Sequence, residues 1–236
     1  MFGRRGNAAQ NGSQKVSGKH FPPDFIAGNF LLMVKEAYAE TLPNGQLGIH
    51  CETVLSALGA LAGFGCQIAV RELMIKQMGM PEPTVLHEVT MPGHPEVYYV
   101  GDQLNKPLFE VPASVLGYVG GAVSHLGGKV PDCAEIAVWV IHTMHTPEFG
   151  SLRVSPEHQP HQLPIDTLRT QWAGAWGLLH KQLYQPAYTG WYFGLAAHKF
   201  ILEAKDSIDP TLAGQITMES AIAMAKVDPR SIGFQV

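Results

Sequence analysis

The longest run of hydrophobic positions in the chain, residues 51–78, predicts one helix of about seven turns. At the spacing of a heptad repeat, eight residues lie on one side of this helix, and the first five of them are small or polar. These are Glu52, Ser56, Gly59, Gly63, Cys66, Val70, Leu73 and Gln77. The opposite side carries large apolar residues, namely Val54, Leu58, Leu61, Phe64, Ile68 and Ile75. The pattern therefore predicts a buried central helix with a shallow groove along one side.

Glycines inside the predicted helix have to be compensated, because each costs about 1 kcal/mol relative to alanine. Gly59 and Gly63 lie four residues apart in the groove, and this spacing lets another backbone approach closely. We expect dispersion contacts across a tight helix–helix crossing to recover the loss. The expected partner is the glycine-rich helical segment 112–126, and the same groove of a second copy is an alternative.

The remaining hydrophobic periodicity predicts a mainly α fold in which several helices surround the central one. The predicted helices cover residues 25–41, 112–126, 131–146, 166–183, 190–206 and 214–226. Residues 147–164 form a loop rich in proline and histidine, and loops of this length in a compact domain are usually functional or mobile. We expect one multi-helix domain over residues 21–236.

Two segments rich in β-branched and aromatic residues, Thr84–Thr90 and Glu96–Val100, predict one β-hairpin at about residues 84–101. Between them a Pro-Gly pair occupies the central positions of a type II turn. A two-stranded hairpin is not stable alone, so we expect it to pack on the helices or to pair with a partner chain. Residues 106–111 are a candidate third strand.

Composition and charge narrow the class of protein. Charged residues make up 15% of the 236 residues, below the roughly 25% that is typical of soluble domains. A surface so poor in charge favours burial of part of it in an oligomer, and we predict a homodimer. The net charge of −4 argues against a nucleic-acid-binding role, which usually needs a basic face.

The N-terminal segment and the cysteines predict a cytoplasmic protein. Residues 1–20 are polar and basic and lack the apolar core of a secretory signal, so we expect a disordered tail. Cys51 and Cys66 would lie about 22 Å apart along one helix, too far for a disulfide, which is typical of reduced thiols. The uncharged run Thr53–Val70 is at the lower limit for spanning a membrane, but no basic cluster or aromatic belt flanks it. No membrane span is predicted.

The strongest candidate for chemistry is the histidine pattern around the long loop. His142 and His145 end one predicted helix, and His158 and His161 follow after twelve residues. Two His-x-x-His pairs could converge on one divalent transition-metal ion, since neutral imidazole suits zinc, copper or nickel. Because His142 lies on the polar side of its helix, the alternative is a set of solvated surface and loop histidines.

Two smaller groups are weaker candidates. His94 in the predicted turn could meet either His87 or Glu88 but not both, because neighbours on a strand point to opposite faces. Glu52 stands at the start of the central helix, where we expect an exposed carboxylate favoured by the helix dipole. If Glu52 were buried instead, it would need a partner.

An aromatic group late in the chain is the candidate ligand pocket, with Trp172, Trp176, Trp191 and Tyr192 as its members. The alternative is that these helically spaced aromatic residues form part of the core. The sequence contains no P-loop, no Gly-x-Gly-x-x-Gly, no Gly-x-Ser-x-Gly and no His-Glu-x-x-His motif. No catalytic residue is assigned.

Three hypotheses about function follow. The low charge, the glycine-lined groove and the absence of catalytic motifs favour a non-catalytic, soluble, homo-oligomeric protein with a structural or interaction role. The first alternative is a metal-dependent enzyme that uses the four histidines. The second alternative is a small-molecule binder with a pocket lined by the aromatic residues.

Overall fold

The computed structural model describes residues 21–41, 45–181, 185 and 188–235. Its helices and strands are, in chain order, α1 (Pro23–Ala37), β1 (Ala39–Thr41), β2 (Leu47–Ile49), α2 (Cys51–Val70), α3 (Glu82–Val85), β3 (His87–Val89), β4 (Tyr98–Val100), α4 (Asp102–Asn105), α5 (Val115–His125), α6 (Cys133–Thr143), α7 (Pro164–Lys181), α8 (Thr189–Glu203) and α9 (Pro210–Met224). Two π-helical segments, Arg71–Gln77 and Lys106–Glu110, continue α2 and α4. The predicted mainly α fold around a buried glycine-rich helix is confirmed. The predicted tail, residues 1–20, lies outside the described residues.

The central helix α2 is enclosed on all sides. Every residue from Glu52 to Val70 is buried, and the helix packs against α7, α8 and α9. The predicted groove is filled by α9, since a Cβ atom added at Gly59 or Gly63 would collide with the backbone carbonyl oxygen of Thr217 or Ala221. The two backbones are therefore in direct contact, and the tight crossing predicted from the glycine spacing is confirmed.

The partner of this groove is α9 and not the glycine-rich helix α5, so the predicted partner was wrong. Helix α9 presents small side chains at the crossing, and the Ser220 hydroxyl lies 3.0 Å from that of Ser56 within hydrogen-bonding distance. In α5, by contrast, a Cβ added at Gly121 would meet nothing within 4 Å. Because α9 fills the groove, the alternative of a second copy packed in the same place is also excluded.

The predicted length of the central helix is confirmed, because the helical stretch covers residues 51–77 once its π-helical end, Arg71–Gln77, is included. Within the described part of the chain, this is the one helix long and apolar enough to cross a membrane. Its most apolar window lies entirely inside the fold. Core helices of folded domains share both properties.

The predicted hairpin is present with shorter strands. Strands β3 and β4 pair antiparallel, with Glu88 opposite Tyr99. Gly93 in the turn has a φ of 86°, the positive value that a type II turn requires at this position. The Tyr99 N–H donates to the Lys226 carbonyl oxygen at 2.8 Å, just beyond α9, and both Tyr98 and Tyr99 are buried. These contacts fix the hairpin to the helical core.

Two predictions of local structure were wrong. Ala39–Thr41, predicted as the end of the first helix, pairs with Leu47–Ile49 in a second small antiparallel ladder. The pairing satisfies backbone N–H and C=O groups across two segments, and the hydrophobic periodicity of the first segment does not reveal this partner. The candidate third strand at residues 106–111 is instead a π-helical turn, closed by a hydrogen bond from the Val111 N–H to the Lys106 carbonyl oxygen at 3.3 Å.

The long loop between α6 and α7, residues 144–163, is fixed to the core by side chains. Glu219, buried in α9, accepts hydrogen bonds from the backbone N–H and the Nε–H of Arg153 at 2.7 and 2.9 Å. Within the loop, the Gln159 amide donates to the Val154 carbonyl oxygen at 2.9 Å. The loop thereby carries histidines from its two ends to different parts of the fold.

Candidate functional site

Two clusters of histidine and carboxylate side chains involve the loop 144–163. The His145 cluster consists of His94, Glu96 and His145. The Glu52 cluster consists of Glu40, His50, Glu52, His158 and His161. The two clusters contain the same residue types but differ in how their buried atoms are paired.

His145 combines two unfavourable features. Its backbone has a φ of 63°, the one positive value at a non-glycine position among the described residues, and this left-handed conformation costs roughly 1–2 kcal/mol. The residue is 9% exposed, and neither ring nitrogen has a hydrogen-bond partner in the described chain. A buried polar group without a partner costs roughly 1–3 kcal/mol more. Strain and unpaired polar atoms that coincide in this way are typical of functional sites.

The β3–β4 turn brings His94 and Glu96 to the buried imidazole. The ring centroids of His94 and His145 are 5.6 Å apart, and His94 Nδ1 lies 4.0 Å from Glu96 Oε2. Within the described residues, these three form the single group of three or more His, Cys, Asp and Glu side chains whose ligand atoms all lie within 4.8 Å of one another. The buried Tyr98 ring packs edge-on against His145 at 5.0 Å and supports the imidazole from the core.

The donor set fits a divalent transition-metal ion. Two imidazoles and one carboxylate are ligands that zinc and ferrous iron take in proteins. In a tetrahedral zinc site the ligand atoms are roughly 3.3 Å apart, so the three side chains would have to approach one another by up to about 1.5 Å. The side chains of His94 and Glu96 are 43% and 53% exposed, whereas the His145 ring packs against Tyr98.

In the Glu52 cluster the buried carboxylate has its partners within the chain. Glu52 is 9% exposed at the first turn of α2. Its Oε1 accepts a hydrogen bond from His158 Nδ1 at 2.7 Å, and its Oε2 lies 3.3 Å from His50 Nε2. The prediction of an exposed Glu52 was wrong, because the loop 144–163 folds over the start of α2 and brings His158 to the carboxylate.

The histidines of the Glu52 cluster also support one another. The rings of His50 and His161 stack with centroids 3.9 Å apart, and the Thr53 hydroxyl lies 2.9 Å from both His50 Nδ1 and the His161 backbone nitrogen. Burial lowers the pKa of His50, the Glu52 charge opposes this effect, and the neighbouring histidines reinforce it. No buried side-chain atom of the cluster lacks a partner among the described residues, so the cluster holds the loop on α2.

The structure does not bring the four predicted histidine ligands together. His142 is exposed on α6 and contributes to neither cluster. His145 lies in the His145 cluster, whereas His158 and His161 lie at the start of α2. The physical reason is that α6 ends at Thr143, so the left-handed His145 no longer shares a helix face with His142.

The four predicted pocket aromatics also separate. Trp172 is 1% exposed and packs against Phe64 with ring centroids 4.7 Å apart, so it belongs to the core. Tyr192 is buried as well, and Trp176 stacks on Trp172 at 5.9 Å. Of the four, Trp191 lines a surface cleft between α2, α5 and α8.

Sequence reasoning missed the pair His94 and Glu96. The two residues are two positions apart in the sequence, which puts both side chains on the same side of an extended chain. This spacing was the signal that the sequence offered. In the structure His94 meets Glu96 and not the expected His87 or Glu88. No local pattern could indicate His145 as the third member, because it lies far along the chain in an irregular turn.

Comparisons with known proteins offer no precedent for either cluster. No protein-family model, curated protein or solved structure matches the chain.

Proposed function

We propose that the protein binds a divalent transition-metal ion, zinc or ferrous iron, through His94, Glu96 and His145. The observation that carries the proposal is the buried His145 imidazole. Its two ring nitrogens have no partner among the described residues, although it faces a second histidine and a carboxylate. A metal–nitrogen bond would satisfy one of these atoms and offset the burial and the left-handed backbone.

The number of ligands supports a reactive ion in place of a purely structural one. Structural zinc sites are closed by four protein ligands, whereas catalytic sites have three and keep one position for water or substrate. This site offers three, and two of them reach solvent. An ion held here supplies Lewis-acid chemistry, while the chain provides position and a buried wall on one side. The proposal is thus a metal-dependent enzyme with a different ligand set from the four histidines.

Calorimetric titration of untagged, metal-stripped protein with zinc chloride tests the proposal. We expect one saturable site per chain. His145→Asn, His94→Ala and Glu96→Gln should each weaken zinc binding about a hundredfold, because losing a ligand should cost no less than the upper end of the roughly 10–100-fold loss seen when a ligand loses its outer-shell partner. Asparagine is chosen at position 145 because it tolerates the left-handed backbone.

His142→Ala is the matched control, since His142 lies on α6 three residues before His145 and outside both clusters. It should leave zinc affinity unchanged. Zinc binding that is absent, or that survives His145→Asn unchanged, would rule the site out. A loss of binding on changing His158 to asparagine would favour the site predicted from the sequence instead.

The predicted homodimer is a second proposal, and helix α6 supplies the surface that favours it. Val138 and Ile141 are 53% and 55% exposed, and Ala134 one turn earlier is exposed as well. An exposed apolar stripe at this helical spacing is typical of a helix that packs on a partner. By light scattering at micromolar concentration we expect a dimer that Val138→Glu converts to a monomer. A monomer before any substitution would contradict this proposal.

A further inference from the structure

A cleft between α2, α5 and α8 shares no residue with either histidine cluster. Its volume of about 410 Å³ is within the range of small-molecule sites. The residues that decide its chemistry are Cys66, Lys106, Tyr118, Tyr188, Gly190 and Trp191. They form an apolar floor, aromatic walls and a charged rim.

The floor is made by a close contact of α2 and α8. Both Cys66 and Gly190 are buried, and a Cβ atom at Gly190 would collide with the Cys66 sulfur. Burial raises the pKa of the Cys66 thiol well above its usual range, so the floor carries no thiolate. Because α8 begins at Thr189, this contact also fixes the aromatic side chains of the first turn of α8 beside the cleft.

Three aromatic side chains form walls that are already assembled. The Trp191 ring packs against those of Tyr118 and Tyr188, with centroids 5.6 Å apart in both pairs. The Trp191 Nε1–H donates to the Tyr118 hydroxyl. Tyr188 is 46% exposed and Trp191 is partly exposed, so a ligand can reach their rings. Preassembled aromatic walls bind a flat apolar group with little loss of conformational entropy.

The polar groups of the cleft include two donors that suit a negatively charged group. Among the described residues, Lys106 is the single charged one in the lining. Its Nζ donates to Gln103 Oε1 at 3.1 Å, and within the described ranges it has no carboxylate partner. The Tyr118 hydroxyl accepts from Trp191, and its own proton has no acceptor among the described residues. An exposed ammonium and a free hydroxyl proton beside apolar walls favour an anionic group on the ligand.

We propose that this cleft binds a small organic anion with a flat apolar body, of the aryl carboxylate class. The ring system lies against Trp191 and Tyr188, and the carboxylate binds Lys106 and the Tyr118 hydroxyl. The inference does not depend on the metal site. It assigns the small-molecule hypothesis to this cleft, with Trp191 and Tyr188 as the contacts of the ring system and Lys106 as the charged group.

Calorimetry with two matched probes tests whether a negative charge on the ligand strengthens binding. 2-Naphthoate carries the carboxylate, and 2-naphthylmethanol has the same ring system without it. We expect saturable binding of naphthoate and about tenfold weaker binding of the alcohol. Lys106→Gln should weaken naphthoate binding about tenfold and leave the alcohol unchanged, while Lys106→Arg should retain naphthoate binding. Lys205→Gln, at an exposed position beyond α8, is the matched control and should change neither affinity.

A second variant tests the wall. Tyr188→Ala removes a half-exposed ring outside the core and should weaken both probes. Thermal unfolding of each variant establishes that it is folded. The proposal is overturned if naphthoate shows no saturable binding, or if Lys106→Gln and Tyr188→Ala bind it as tightly as the unchanged protein.

Discussion

The two histidine clusters are made of the same residue types, but the buried polar atoms have partners in one cluster and lack them in the other among the described residues. Glu52 is buried and meets His158 through one oxygen and His50 through the other. His145 is buried to the same extent, and neither of its ring nitrogens has a partner among the described residues. The first cluster is complete without a ligand, whereas we propose that a metal ion completes the second. The pairing of buried atoms therefore says more about function than the number of histidines does.

Zinc should separate the clusters most clearly. At a free zinc concentration one hundred times the dissociation constant, binding to the His145 cluster should raise the free energy of unfolding by about 2.7 kcal/mol. His145→Asn should reduce this gain to about 0.4 kcal/mol, since the variant is only half-saturated at that zinc concentration, whereas His158→Asn should keep it. Chemical denaturation with and without zinc measures both, and an equal gain in the two variants would contradict the assignment of the site.

Lys226 extends the comparison to a buried amine. Among the described residues, its one side-chain hydrogen bond is to an amide oxygen. Lys226 is 4% exposed, and its Nζ donates to Asn105 Oδ1 at 3.3 Å. Burial lowers the pKa of Lys226 from 10.5 to about 8, and the nearby Cys66 opposes this effect. The unfolded chain therefore binds more protons between about pH 8 and pH 10.5, and stability contributed through Lys226 rises with pH across that window.

Lys226→Met tests this linkage. Between pH 7 and pH 10 the free energy of unfolding should rise by about 2–3 kcal/mol more in the unchanged protein than in the variant. Denaturant titrations of both proteins at the two pH values measure the difference. Parallel pH profiles would show that the Lys226 amine is not desolvated as the fold implies.

The next largest change in the free energy of unfolding is expected from matched alanine substitutions of the two carboxylates, Glu52 and Glu96. Glu52→Ala should lower the free energy of unfolding by about 2 kcal/mol, because it removes charge-assisted hydrogen bonding from a buried position. Glu96→Ala should change it by less than about 0.5 kcal/mol in metal-free protein, since Glu96 is exposed. Urea denaturation measures both, and similar losses in the two variants would remove the distinction between the clusters.

A small effect is also expected for His145 itself without metal. His145→Asn should change the free energy of unfolding by less than about 1 kcal/mol, because relief of the unpaired imidazole and the strained backbone is offset by the lost ring contact with Tyr98. His158→Ala should cost about 1.5 kcal/mol through its lost hydrogen bond to Glu52. If metal-free His145→Asn were the more damaging change, His145 would be a packing residue.

Patterns along the chain predicted the local structure. The hydrophobic run indicated the helix at residues 51–77, and Gly59 and Gly63 indicated a close backbone contact. The Pro-Gly pair indicated a turn with positive φ at Gly93. Each of these features depends on neighbours within one or two helical turns or within one tight turn. Such short-range preferences can be read from composition and spacing.

The sequence by itself determined the helices, the buried groove and the principal turn, whereas only the tertiary structure decided what each of them meets. It selected α9 over α5 for the groove, covered Glu52 with His158, and placed His145 beside His94. These pairings join residues that are far apart in the chain. Their energies depend on the packing of the complete fold, because close contact and the pairing of buried polar atoms exist only once distant segments are assembled.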